Sequence, residues 1–139
     1  MKNTMKRITA IVVVCVMMFS SAALAAERAS YYISYKGGGI TPTGDGNMRI
    51  VFTMTATGMM DELGAYSINI YNEDDVWQDV IYYTDPGCSD MMTTNDYSWD
   101  GEVYWEGVPG ERYYAVITFY AKNSSGYDYR SYTTSTVRV

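Results

Sequence analysis

The sequence predicts an all-β chain folded as an antiparallel two-sheet β-sandwich of about seven strands. Three observations carry that expectation. Apolar residues recur at every second position, turn signals return every eight to fifteen residues, and no run of ten or more residues after position 26 keeps a helical period. The 113 residues after position 26 also suit a single sandwich domain of about 100 residues over 27–139.

The elements follow in order. Ser30 to Tyr35 reads as an opening strand, and the breaker-rich KGGGITPTGDGN from Lys36 to Asn47 as the connection to the next. From Asn47 to Thr57 the even positions are Met48, Ile50, Phe52, Met54 and Ala56, which gives one buried face. Gly64 to Asn72 alternates again, with Tyr66, Ile68 and Ile70 expected inside and Ser67, Asn69 and Tyr71 outside. Trp77 to Tyr83 is rich in Val, Ile and Tyr without clean alternation, the pattern of an edge strand. In the next segment Tyr97, Trp99, Gly101, Val103 and Trp105 alternate with Ser98, Asp100, Glu102, Tyr104 and Glu106, so Tyr97 and the two tryptophans are expected to face the core. GVPGER is a turn, Tyr113 to Ala121 a strand with Tyr113 inward, KNSSG a turn, and Tyr129 to Val139 a last Thr/Tyr/Val strand.

Ahead of these lies an address. Lys2, Lys6 and Arg7 form a basic start, Ile8 to Phe19 a twelve-residue apolar core, and Ser20 to Ala26 a small-residue end, the pattern of a secretory signal peptide over 1–26. The apolar run is shorter than the roughly 20 residues a membrane helix needs. Cleavage is expected after Ala26, with Ala25 as the alternative, and Cys15 leaves with the signal. The final TTSTVRV carries no hydrophobic tail, so release outside the cell is expected rather than attachment to the wall.

Removing residues 1–26 leaves seven basic and sixteen acidic side chains, a net charge of −9. Such a surface cannot neutralise a run of phosphates, which argues against nucleic acid and anionic membranes as partners. The whole chain lacks histidine, which removes the usual Ser-His-Asp and Cys-His catalysis and the common zinc sites. Cys88, in TDPGCSD, is the one cysteine left after cleavage, so no intrachain disulfide is available. The sequence does not define the oligomeric state, which leaves pairing of Cys88 between chains as an option.

The closing third, VPGERYYAVITFYAKNSSGYDYRSYTTSTVRV, resembles the end of fibronectin type III and related immunoglobulin-like domains, with Pro109, Gly110 and Tyr113 at the strand entry and Ala121, Asn123 and Gly126 at its exit. The resemblance implies a sandwich with Tyr113 as its tyrosine corner, the hydroxyl bonding to upstream backbone. The chain also looks like an uncharacterised family of small secreted proteins of Gram-positive bacteria, through its TATGMMDELGAYSINIY centre and YYAVITFYAKNSSG end. The second resemblance brings no known activity; the first implies a binding or spacing role, since fibronectin-type and immunoglobulin-like sandwiches are seldom enzymes on their own.

The leading expectation is therefore a secreted, non-enzymatic interaction or adhesion module whose partner is a protein or glycan at a cell surface. Fifteen tyrosines and three tryptophans supply the contact residues, and Trp77, Tyr82, Tyr104, Tyr127 and Tyr129 are the candidates for exposed contacts. A carbohydrate-binding module using those aromatics is the alternative. A small glycosidase using two of the many carboxylates is the remote one. No cofactor is expected; a weak extracellular calcium site at Asn72 to Asp75 or Gly44 to Asn47 is chemically sensible but lacks a recognised loop spacing. Asn123-Ser124-Ser125 reads as a turn rather than a glycosylation site.

Overall fold

The computed structural model describes residues 30–139, so the signal segment and its cleavage point lie outside the described residues. Seven strands form one antiparallel sheet: β1 (Ile33–Gly44), β2 (Asn47–Asn72), β3 (Trp77–Tyr82), β4 (Met92–Glu106), β5 (Arg112–Asn123), β6 (Gly126–Thr133) and β7 (Val137–Arg138). A three-residue 3-10 turn, Ser89–Met91, precedes β4, and the described residues contain no α-helix.

Strand β2 organises the rest. Along its first half each residue is flanked by β1 on one edge and β4 on the other, as in the row Gly38, Phe52, Gly101. Along its second half it is flanked by β5 on one edge and by the start of β4 and then β3 on the other. Strand β6 adds to β5, with β7 beside the opposite end of β5. Strand β3 pairs with β2 alone, which makes it the edge that its loose alternation suggested.

The alternation of Met48, Ile50, Phe52, Met54 and Ala56 is realised as a buried row. It meets Ile68, Ile70, Ala115, Ile117, Phe119 and Ala121 in one core cluster, where Phe52 and Phe119 cross edge to face at 6.3 Å. Four methionines, Met48, Met54, Met60 and Met91, are fully or nearly fully buried. Their unbranched side chains fill the irregular space where β2 changes partners.

Several local expectations change. Residues 36–44 belong to β1 rather than to a loop, and the turn shrinks to Gly44, Asp45 and Gly46, all at positive φ. The glycines are strand residues because their neighbours come too close for side chains. A Cβ on Gly38 would lie 2.5 Å from Ile117 Cδ1 and 2.9 Å from the Val51 carbonyl, and one on Gly101 would enter the Phe52 ring. Tyr66 does not face the core: opposite Ala65 and Ser67 the partner strand offers only Phe119 and Thr118, so Tyr66 bulges outward. Tyr97 is exposed, because β4 kinks at Asn95 (φ 52°) and Asp96 Oδ1 accepts the Tyr97 and Ser98 N–H groups. Trp99 and Trp105 flank the core half-buried, which lets their indole N–H groups donate to the Asp90 carbonyl at 2.8 Å and the Asp79 carboxylate at 3.0 Å. The last strand divides in two at Thr134, buried where its backbone and hydroxyl bond the backbone of Ala115.

The β6 edge carries Asp128 and Arg130 on its inner side, opposite Ala121 and Phe119. They pair with each other at 2.7 Å, and the Ser30 hydroxyl donates to Asp128, tying the first described residue to the last long strand. Inward charges of this kind discourage edge-to-edge pairing with another chain.

Gly38→Ala and Gly101→Ala are each expected to lower stability by about 1–3 kcal/mol through overpacking, whereas Gly39→Ala, with open space around its Cβ, is expected to leave it unchanged or raise it by up to about 1 kcal/mol. Urea unfolding midpoints of the three variants check this, and equal losses would contradict it.

Candidate aromatic interface

The bulge that turns Tyr66 outward builds the most distinctive surface of the molecule. Tyr66 becomes the hub of a tyrosine cluster on the outer face of β3, β2, β5 and β6. Its ring meets Tyr83 at 5.4 Å, Tyr129 at 5.3 Å, Tyr120 at 6.1 Å and Tyr82 at 6.4 Å. Tyr120 and Tyr129 are register partners with ring centres 4.8 Å apart, and Tyr127 closes the group against both. The β5–β6 turn sets this register: Asn123 faces Gly126, and the Asn123 side chain accepts the Ser125 N–H at 2.8 Å.

The same face continues toward the far end of β5. Tyr71 and Tyr114 stack at 5.3 Å with only 11° between their planes, and the Tyr114 hydroxyl donates to Asp75 at 2.8 Å. Exposed Trp77, the register partner of Tyr71, donates its indole N–H to Asn69 at 3.1 Å.

Of the residues proposed for contact, Tyr82, Tyr127 and Tyr129 thus share one cluster and Trp77 stands on the same face. Tyr104 does not join them. It is the most exposed of the five, at 64%, and lies on β4 beside Arg49, where its hydroxyl and Arg49 both reach Glu102 at 3.3 Å. Sequence reasoning missed Tyr66 and Tyr83 as members of the face. Tyr120 joins them because the KNSSG turn sets it opposite Tyr129, a pairing that no local pattern announces. Tyr113 is buried, its ring against Trp105 at 5.1 Å, and its hydroxyl accepts the Val108 N–H at 2.9 Å.

Crowding affects the phenols. Burial among neighbouring rings pushes Tyr120 and Tyr129 above the ordinary tyrosine value, with Glu62 adding to the effect at Tyr120 and Tyr66 at Tyr129. The hydrogen bond to Asp75 raises Tyr114. Burial, followed by the nearby Asp85 charge, raises the Cys88 thiol, which therefore holds its proton more firmly than a free cysteine.

In the two stretches considered for calcium, side chains serve turns. Asn72 Oδ1 accepts the Asp74 and Val76 N–H groups, and Gly44 to Gly46 make the β1–β2 turn. Among the described residues no three His, Cys, Asp or Glu side chains are grouped to hold a metal ion.

Because these phenols ionise less readily folded than unfolded, their contribution to stability is complete below pH about 10 and is lost as pH rises through the raised values. An alkaline absorbance titration is expected to show a late-ionising set of tyrosines, and Asp75→Asn to move one member to lower pH. Uniform ionisation near the ordinary value would contradict the packing described. No protein-family model matches the chain and no curated protein matches it, so the reading of this face rests on its own residues.

Proposed function

We propose that the chain is a secreted, non-enzymatic interaction module that uses its tyrosine face to hold a protein at a cell surface. The observation that carries the reading is the six-tyrosine cluster of Tyr66, Tyr82, Tyr83, Tyr120, Tyr127 and Tyr129 on one side of the sheet. Tyrosine gives large contact area with few rotatable bonds and a hydroxyl for orientation, which is why it is enriched in protein contacts. The rings meet mostly at steep angles, from 35° to 89°, which makes a rugged surface suited to interdigitation with side chains. A sugar platform calls for a flatter array, so glycan binding is the second choice.

The scaffold in this reading is an immunoglobulin-like sandwich of the fibronectin type III kind. One layer is β1, the first half of β2 and the second half of β4; the other is β3, the second half of β2, β5 and β6. The partner change along β2 supports this division, as does the packing of Phe52 on Phe119 between strands that do not pair at that level. The Tyr113 bond to Val108 backbone supports its role as a tyrosine corner. The aromatic face then occupies the outside of the larger layer.

The test sets a glycan array beside affinity capture and cross-linking from bacterial and host surface extracts. A protein partner is expected to be retained by the wild type and by Tyr104→Ala, and weakened roughly thirtyfold by Tyr82→Ala with Tyr129→Ala, the effect of about 2 kcal/mol at a contact hot spot. Saturable glycan binding abolished by Trp77→Ala would overturn the protein-binding reading, as would capture unaffected by the double substitution.

A further inference from the structure

A second site lies on the other half of the sheet. Directly paired residues on adjacent strands share a face, and the register therefore sets Gly39, Val51 and Glu102 in one outer row and Gly37, Thr53 and Asp100 in the next. Tyr35 and Thr55 follow below, and Thr41, Arg49 and Tyr104 above. Over the two central rows is an open hollow of about 670 Å³, lined by Gly38, Gly39, Val51, Thr53, Asp100 and Glu102, with the backbone of Phe52 and Gly101.

The glycines beneath it differ in their reasons. Gly38 is required by Ile117 and the Val51 carbonyl, and a Cβ on Gly37 would stand 3.1 Å from the Tyr35 hydroxyl. Gly39 has neither constraint: a Cβ there meets nothing within 4 Å, and its φ is one that any residue adopts. Glycine inside a strand weakens it and marks a place where a ligand or another backbone comes close. No packing demand explains Gly39, whose missing side chain leaves the floor of the hollow bare.

The walls indicate what that occupant carries. The Asp100 carboxylate has no hydrogen-bond or ion-pair partner among the described residues, while that of Glu102 is held by Arg49 and Tyr104 on the far side of the hollow. The described residues hold fifteen acidic and six basic side chains, so an anion or a second copy of the chain is repelled. A flat peptide floor, an apolar Val51, a carboxylate wall and exposed tyrosines at both ends suit a planar cation, which stacks on flat surfaces and pairs with a carboxylate.

We infer that this hollow binds an arginine side chain presented by a peptide segment of a partner protein, with the guanidinium lying over Gly39 and Val51 and pairing with Asp100. The site is separate from the tyrosine face and stands or falls without it.

The probe is acetyl-Gly-Arg-Gly-amide, titrated into the isotopically labelled protein and followed by amide chemical shifts. Saturable shifts are expected at Gly38, Gly39, Val51, Thr53 and Asp100, with the citrulline version of the peptide bound at least tenfold more weakly. Gly39→Leu fills the hollow without changing charge and is expected to weaken binding at least tenfold, and Asp100→Asn, which leaves the floor intact, several-fold. Tyr129→Ala is expected to bind as the wild type does. Shifts scattered over the acidic surface, equal binding of the citrulline peptide, undiminished binding by Gly39→Leu, or no saturable shift would each overturn the assignment.

Discussion

The register of β2 is the constraint on which the remaining structure depends. Four of the other strands hydrogen-bond to this one strand, so the face each of its residues presents decides what is core and what is surface. Strict alternation from Met48 to Ala56 commits the first half to a buried row. Had the same period run on backward from Ile70 and Ile68, Tyr66 would lie inside. One extra residue opposite Phe119 and Thr118 resets the alternation, so that Ala65 and Leu63 are buried and Tyr66 is outside. A large aromatic leaves the interior, a small alanine replaces it, and the outer face gains the hub around which five other tyrosines gather.

What was legible in the sequence was what a period of two controls: the all-β class, the buried row of β2, the strand at β5 with Tyr113 inward, and the edge position of β3. What escaped depends on contacts between segments distant in the chain. The run Gly37 to Gly39 looks like a breaker, and only the approach of Ile117 and the Val51 carbonyl shows why Gly38 sits in a strand. The kink at Asn95 that exposes Tyr97 is made by an asparagine at positive φ, for which no local alternation gives notice. Trp99 and Trp105 read as core by hydrophobicity, yet each indole N–H needs an acceptor, which holds them at the margin. Local sequence marks Trp77, Tyr82, Tyr104, Tyr127 and Tyr129 singly, whereas the tyrosine face is a property of registers that join β2, β3, β5 and β6.

The two outer surfaces share an electrostatic setting and differ in chemistry. The body is strongly acidic, and its cations are few and mostly engaged, with Arg49 on Glu102, Arg130 on Asp128 and Arg138 on the Gly110 carbonyl. One face offers tilted phenol rings, the other a bare backbone floor beside a carboxylate. Both suit a protein partner bearing cationic and planar groups. The chain carries no histidine, and burial with the nearby Asp85 charge makes the Cys88 thiol give up its proton less readily than a free cysteine.

The most direct test of this account is the environment of the Tyr66 ring in solution. Nuclear Overhauser spectra of the intact chain should connect the Tyr66 ring protons with those of Tyr82, Tyr83, Tyr120 and Tyr129. Contacts from Tyr66 to the Leu63 methyls and the Phe119 ring in the core instead would mean that β2 alternates without the bulge, and the tyrosine face as described would not exist.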